Sequence, residues 1–234
     1  MSRPVRTRLD VVVPAYFHPA AAADAWQQLI RLGPALRLVI VNVHNGPGAG
    51  PDPGYREVIA ALQAARIRLV GYVDTDYGRR PDADVAADVS AYLRWYEVDG
   101  IFFDQVSAQL ADLDHYAQQV LAARAAGARQ VVLNPGTHPH PGYVDLANLT
   151  VTFEGPWVDY QALRPPDWVH RHRPNRFCHL VHSIPPSALD RAADLAGSRH
   201  VSSVFLTDGH GANPWDHLPA PLAGVAGAHA GKGS

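Results

Sequence analysis

Apolar runs bounded by turn residues recur along the 234-residue chain and predict eight β-strands. The runs are continuously apolar rather than alternating, as expected when both faces of a strand are buried in a parallel sheet. The predicted strands cover residues 9–16, 37–43, 67–74, 100–105, 130–135, 149–154, 176–183 and 201–208.

Between most of these runs the apolar positions follow the helical period. The clearest helical segments are residues 21–32, 55–66, 85–97, 114–127 and 186–197. Eight strand–helix repeats in about 210 residues predict a single (β/α)8 TIM-type barrel, with a doubly wound open sheet as the alternative. No Gly-x-Gly-x-x-Gly motif follows the first strand, which counts against a dinucleotide-binding sheet.

The connections after the fifth and sixth strands carry weak helical patterns. They are Pro-rich, HPHPGYVDLAN at 138–148 and RPPDWVHRHRP at 164–174, so we expect short helices or irregular loops there. The chain closes on a Gly- and Ala-rich stretch, GVAGAHAGKGS. We therefore expect one barrel domain over residues 1–218 and a flexible tail over residues 219–234.

Composition excludes several classes of function. The net charge of −2 and the pI near 6.7 argue against nucleic acid as a partner. No run of 18 apolar residues and no signal-type apolar core is present, so we expect no membrane partner and a cytoplasmic protein. The single cysteine, Cys178, excludes a disulfide framework and is expected to be a buried thiol. Lys232, in the tail, is the sole lysine and argues against Schiff-base chemistry.

Polar side chains stand at the end of every predicted strand. In a barrel of this type the active site forms at the C-terminal ends of the strands. Four of the eight residues are carboxylates, so we expect a polar, acidic cleft there. The residues are Tyr16, Asn42, Asp74, Asp104, Asn134, Glu154, His182 and Asp208.

Asp104 and Glu154 are the predicted catalytic pair. Two carboxylates that face each other across a sugar are the minimal apparatus for glycoside hydrolysis. The two residues end the fourth and sixth strands, and strands of the same parity contribute to one interior layer. Side chains from strands two apart would bring the carboxyl groups to about 5–7 Å. The alternative is that Glu154 only caps the loop EGPW.

The same loops carry aromatic residues, which suit the apolar faces of sugar rings. Tyr16, Phe17, Tyr77, Trp157 and Trp215 follow strand ends. We expect the cleft to bind a polysaccharide or oligosaccharide, and its acids to attract a cationic substrate. The predicted substrate contacts are Tyr16, His18, Asn42, Asp74, Asp76, Tyr77, Asn134, Trp157, His182 and Asp208.

No metal or cofactor is predicted. The histidine pairs His138/His140 and His170/His172 are two residues apart in loops, and no zinc-type spacing occurs. The segment TDGHGAN at 207–213 could form a phosphate-binding turn, but it lacks a basic residue and contains an acid.

Several long motifs resemble the spherulin-4-like family, which is similar to endo-acting galactosaminidases. They are VPAYFHP (13–19), VIVNVHNGPG (39–48), GYVDTDYG (71–78), WYEVDGIFFDQV (95–106) and TFEGPW (152–157). The resemblance implies a (β/α)8 barrel that cleaves α-1,4-linked galactosamine-containing polysaccharide. It implies Asp104 as nucleophile or stabilising carboxylate and Glu154 as acid/base. It also implies a secreted protein.

Gln105 departs from the family, which usually has Asp-Glu at residues 104 and 105. An amide can orient a hydroxyl or a water, but it cannot exchange a proton at neutral pH. Gln105 could therefore support Asp104, or it could mark a carbohydrate-binding barrel with impaired catalysis. An unrelated small-molecule enzyme such as an isomerase is the third hypothesis. The sequence leaves open the oligomeric state, the acetylation preference and endo or exo action.

Overall fold

The computed structural model describes residues 9–219 and residue 222. Its eight parallel strands close into one barrel in chain order, and the last strand pairs with the first. The predicted (β/α)8 barrel is confirmed, and the open-sheet alternative is wrong. The strands are β1 Asp10–Ala15, β2 Leu36–Val41, β3 Leu69–Asp74, β4 Gly100–Asp104, β5 Gln130–Leu133, β6 Leu149–Pro156, β7 Phe177–His182 and β8 Ser203–Leu206.

Helices of the described region lie between successive strands. They are α1 Ala23–Leu32, α2 Pro53–Ala64, α3 Asp82–Trp95, α4 Leu113–Ala125, α5 Gly142–Leu146, α6 Trp157–Ala162 and α7 Leu189–Ser198. With 5 and 6 residues, α5 and α6 confirm the irregular connections predicted after the fifth and sixth strands. Among the described residues, no helix combines the length and the apolar character that a bilayer crossing needs. The predicted tail at 219–234 lies outside the description apart from residues 219 and 222.

Two glycines permit close packing at the barrel wall. A Cβ atom on Gly71 would lie 2.3 Å from the ring of Tyr92, which packs against β3 from α3. A Cβ atom on Gly100 would lie 1.8 Å from the carbonyl oxygen of Gln130 on β5. Both distances are much shorter than a van der Waals contact. Tyr92 and the backbone of Gln130 can therefore lie this close only because residues 71 and 100 have no side chain.

Tyrosines from the helices tie the outer layer to the C-terminal ends of the strands. Tyr55 of α2 donates to the carbonyl of Asn42 at 3.0 Å, and Tyr92 of α3 donates to the carbonyl of Val41 at 3.0 Å. Tyr116 of α4 shares a 2.9 Å hydrogen bond with the hydroxyl of Thr75. Because buried hydroxyls need partners, these bonds fix the backbone where the polar side chains emerge.

Candidate active site

Asp104 lies at the C-terminal end of β4 and points into the barrel. Side chains two residues apart on a strand share a face, so Asp104 points the same way as Phe102. The ring of Phe102 stacks on Tyr72 with 6.2 Å between the centroids. The predicted strand-end carboxylate thus stands above an aromatic layer, in the position where barrel enzymes carry catalytic side chains.

A bulge in β6 turns Glu154 into the barrel. In the pairing of β6 with β7, Thr152 has no partner because the register shifts between Val151 and Phe153. Phe153 consequently faces the helical layer, where its ring lies 4.9 Å from that of Tyr160 on α6. Regular alternation would have put Phe153 inside the barrel and Glu154 against the helices. The extra residue therefore re-aims the acid, a frequent role of bulges beside active sites.

Asn134 connects the two acids. Its side-chain nitrogen donates to Oδ1 of Asp104 at 2.6 Å and also donates to Oε2 of Glu154. Two oxygens that accept from one nitrogen lie within about 5 Å of each other. A neutral amide, rather than a cationic side chain, therefore stands between the carboxylates.

Burial and mutual repulsion shift the titration of the acid pair. Burial, followed by the charge of Asp104, raises the pKa of Glu154 to about 7. Burial also raises the pKa of Asp104, and the neighbouring carboxylate of Asp74 adds to that shift. Both effects disfavour a second negative charge in the barrel. The pair therefore retains a proton up to near-neutral pH.

The hydrogen-bond donors around the two acids differ. Besides the amide that both share, the hydroxyl of Tyr72 and the backbone N–H of Gln105 favour the ionised form of Asp104 and lower its pKa. The indole of Trp215 has the same effect on the pKa of Glu154. Because donors stabilise the ionised form, the negative charge is better held on Asp104 and the proton on Glu154.

Gln105 has a left-handed backbone, with φ of 49°. Its carbonyl accepts from the hydroxyl of Thr75 at 2.9 Å and from the backbone N–H of Tyr77 at 2.7 Å. Residues other than glycine rarely adopt this conformation, and such exceptions cluster at functional sites. Gln105 lines the cleft together with Asp104.

The cleft has two lobes that meet at the acid pair. The larger lobe has a volume of about 770 Å³ and the smaller one about 420 Å³. Asp104, Glu154 and His182 line both lobes. A chain of sugars laid through both lobes would therefore cross the carboxylates. The larger lobe also includes Tyr16, His18, Asn42, His44, Tyr55 and Trp215, and the smaller one Tyr77, Gln105, Asn134, Pro135, Gly136 and Gly155.

Six of the ten predicted substrate contacts line the cleft. Four residues line neither lobe: Asp74, Asp76, Trp157 and Asp208. The six that the structure brings together are Tyr16, His18, Asn42, Tyr77, Asn134 and His182.

The acids outside the cleft have partners of their own. Asp76 forms an exposed ion pair with Arg79, and Asp208 lies 3.2 Å from the imidazole of His217. The carboxylate of Asp74 accepts from the backbone N–H of Asp76 at 2.8 Å. Five acids were predicted to make the cleft negative, and only Asp104 and Glu154 line it. The cleft therefore carries less negative charge than the sequence suggested.

Two of the predicted loop aromatics belong to the core. Trp157, which is 7% exposed, packs against Tyr160 with ring centroids 6.2 Å apart, and the guanidinium of Arg191 lies 5.8 Å from its ring. Phe17 packs edge-on against Trp26 at 5.2 Å. Both residues follow a strand end, as predicted, but neither lines the cleft.

The cleft also contains residues that the sequence did not indicate, among them Tyr72, Tyr55 and His44. Tyr72 had a detectable signal, because it lies two residues before Asp74 on β3 and therefore shares its interior face. Tyr55 starts the helical pattern of α2 and reaches the cleft only through the fold. His44 lies in the loop after β2, whose direction no periodicity predicts.

Among the described residues, the histidines and the cysteine form no metal site. In the part of the chain that the structure describes, no group of three or more His, Cys, Asp or Glu side chains is arranged to hold a metal ion. Burial lowers the pKa of His138 to about 4, and Nδ1 of the buried His179 pairs with the hydroxyl of Tyr160 at 2.9 Å. Cys178 is buried, which raises the pKa of its thiol to about 12. Such a thiol is a packing group.

Known proteins are similar to this chain in sequence and in architecture. Residues 10–228 match the profile of Spherulin4, the spherulation-specific family 4. Spherulin-4 of Physarum polycephalum is 35% identical over 149 residues, which cover 62% of this chain and 45% of that protein. The chain thus matches less than half the length of this relative.

Solved structures agree on the fold. The crystal structure of Aspergillus clavatus Sph3 in complex with GalNAc gives a TM-score of 0.83 at 24% identity and covers 94% of this chain and 97% of that one. A maltogenic α-amylase, AmyB from Thermotoga neapolitana, gives 0.54 at 10% identity, with coverages of 94% and 73%. At these identities the structures establish a common barrel. The family profile extends over most of the sequence, and the chain belongs to the spherulation-specific family 4.

Proposed function

We propose that this protein is a glycoside hydrolase that cleaves an amino-sugar polysaccharide containing galactosamine or N-acetylgalactosamine. The observation that carries the proposal is the buried acid pair, in which Glu154 has a pKa of about 7 beside Asp104. General-acid cleavage of a glycoside needs one carboxyl that keeps its proton and one that is ionised. The GalNAc ligand of the Sph3 crystal structure supports an amino sugar as the substrate class.

In the proposed mechanism, Glu154 protonates the glycosidic oxygen while the carboxylate of Asp104 attacks the anomeric carbon. The leaving sugar departs with the proton, and a glycosyl ester forms on Asp104. Glu154, now ionised, then removes a proton from water, which attacks the ester and releases the second product. One nitrogen donates to both acids, so the accepting oxygens lie within about 5 Å of each other. This short separation supports the retaining route over one that must hold a water between the acids.

The lining of the cleft fits a sugar chain. Tyr16 lines the larger lobe and the exposed Tyr77 lines the smaller one, and sugar rings present apolar faces to such aromatic surface. Amide side chains are present in both lobes, at Asn42 and Gln105. Amides both donate and accept, so they can bond to hydroxyl and acetamido groups.

A carbohydrate-binding barrel without hydrolysis is the second candidate. The observation that favours it is Gln105, which lines the smaller lobe with Asp104 and whose amide cannot exchange a proton. In that case the cleft would hold the same sugars and release them unchanged.

Incubation with α-1,4-linked galactosamine polymers of graded acetylation, followed by mass spectrometry, separates the candidates. We expect shortened products from the wild type, and a loss of at least about a hundredfold in rate for Asp104→Asn and Glu154→Gln. Binding by calorimetry should persist in both variants. The matched controls are the exposed Asp84→Asn on α3 and Glu57→Gln on α2. Binding without shortened products would establish the binding barrel, and the absence of both would refute the proposal.

A further inference from the structure

Both side-chain N–H donors of Asn134 are used inside the protein. They point at the two carboxylates, and the side-chain oxygen accepts from the backbone N–H of Gly136 at 3.0 Å. The backbone is also paired, since its N–H donates to Phe103 at 2.9 Å and its carbonyl accepts from Val106 at 3.0 Å. An amide group carries two N–H donors, and Asn134 is 4% exposed. The donors of Asn134 are therefore committed to the acids rather than to a sugar.

The orientation of the amide is fixed by its surroundings. If the group were flipped, its oxygen would face the ionised Asp104 and its NH2 would face the N–H of Gly136. Both contacts would be repulsive, so the network admits one assignment. Gly136 has φ of 65°, a left-handed turn that aims its N–H back at the amide. The loop after β5 thus holds Asn134 with its nitrogen toward the acids.

The topology explains why one residue can reach both acids. Asn134 follows β5, which lies between β4 and β6 in the barrel. Strands two apart are separated by about 10 Å, too far for direct hydrogen bonding between their backbones. A side chain from the middle strand spans that gap and gives one N–H to each neighbour.

We propose that Asn134 is a positioning residue of the acid pair: its amide holds Asp104 and Glu154 at a fixed separation and stabilises their ionised forms. This inference rests on the proposed function and reassigns Asn134, which the sequence suggested as a sugar contact. Donation to both acids opposes the effect of burial, so the loss of the amide should move both titrations to higher pH. The other titratable groups that face the pair are Tyr16, Tyr72, Asp74, Cys178 and His182.

Three substitutions test the proposal. Asn134→Leu has a similar size and no donors, Asn134→Asp has the same shape but puts acceptors where the donors were, and Asn134→Ser can donate to one carboxylate. Carboxyl carbon-13 NMR follows the titration of the pair without any substrate, and polymer cleavage gives kcat and KM against pH. We expect the carboxyl titrations to move to higher pH by about one unit or more. The shift should be largest in Asn134→Asp, smaller in Asn134→Leu and smallest in Asn134→Ser. We also expect kcat to fall at least about tenfold with little change in KM.

Asn148→Leu is the matched control. Asn148 also lies beside β5, where its side-chain oxygen accepts from the backbone N–H of Val131 at 2.9 Å, but it does not contact the acids. This control should lower stability and leave the titrations in place. Unchanged carboxyl titrations in Asn134→Leu and Asn134→Ser, or a rise in KM at constant kcat, would overturn the positioning role. If the titrations shift in the variants but the wild type cleaves no polymer, the hydrolase proposal is refuted instead.

Discussion

The indole of Trp215 and the carboxylate of Glu154 line the same lobe of the cleft, and the indole N–H favours the ionised form of this acid. The loop after β8 thus reaches the acid on β6, and the indole also meets His182 edge-on, with 5.6 Å between ring centroids. Asn213 holds this loop by accepting from the backbone N–H of Trp215 at 3.1 Å and donating to the carbonyl of Tyr16 at 3.2 Å. The environment of the proposed general acid therefore depends on a segment that follows the last strand.

Replacing Trp215 with phenylalanine should move the basic limb of the pH–rate profile upward. The aromatic ring remains but the donor is lost, so the ionised form of Glu154 loses support and its pKa rises further. Polymer cleavage measured across pH should show a shift of about one unit. Trp95→Phe, at a half-buried position on α3, is the control and should keep the wild-type profile. An unshifted limb in Trp215→Phe would show that the indole only packs.

Tyr72→Phe should affect the other acid. The phenol of Tyr72 favours the ionised form of Asp104 and lowers its pKa, whereas its ring packs edge-on against Tyr16 at 5.4 Å, and the substitution keeps the ring. Loss of the donor raises the pKa of Asp104, which must be ionised to attack the sugar. The acid limb of the profile should therefore move up by about one unit. Tyr96→Phe removes a hydroxyl bonded to the carbonyl of Pro47 and should leave that limb alone. Equal profiles for both variants would contradict the assignment.

Gln105→Glu should strengthen binding of deacetylated, cationic oligosaccharides. The left-handed turn places residue 105 in the smaller lobe beside Asp104, so the new carboxylate would attract ammonium groups. Binding should tighten several-fold at low salt, and the gain should fade as salt screens the charge. The cleavage rate should rise or stay level if an acid at 105 assists catalysis. Gln27→Glu on the exposed face of α1 adds the same charge elsewhere and should change neither quantity. A gain in affinity that persists in high salt would argue against this electrostatic account.

The barrel was predictable because its evidence is local. Strands buried on both faces are continuously apolar, and helices between them repeat at a fixed interval, so eight pairs indicate closure. Polar residues at strand ends also follow from local patterns, which is why Asp104, Glu154 and Asn134 could be named from the sequence. The short α5 and α6 were expected because Pro-rich segments interrupt the helical period.

The direction of individual side chains was less predictable. Period-2 alternation assumes an unbroken strand, and the bulge at Thr152 that turns Glu154 inward leaves no signal in the sequence. In loops no periodicity applies, so Trp157 and Asp208 follow strand ends as expected and yet lie outside the cleft. The role of Asn134 depends on contacts with two other strands, and only the closed barrel brings these together.

The acid pair should make the free protein less stable as pH rises. Glu154 has a pKa of about 7 in the folded protein against an ordinary value of 4.5. Below pH 4.5 the carboxyl is protonated in both states and has no effect. Between pH 4.5 and 7 the unfolded chain ionises while the folded protein retains the proton, so the free energy of unfolding falls. Above pH 7 the loss of stability is complete, with a magnitude of about 3 kcal/mol.

Glu154→Gln isolates this contribution, because the amide has a similar shape and does not titrate. Urea unfolding of the wild type and the variant should show a stability difference that grows in favour of Gln from pH 4.5 to 8. Glu57→Gln, at an exposed position on α2, should show no such trend. Asp104 also has a raised pKa, so Asp104→Asn should behave in the same direction. A constant difference across this pH range would mean that the carboxyl of Glu154 is not destabilised by burial. The account of Glu154 as a proton-holding general acid would then lose its physical basis.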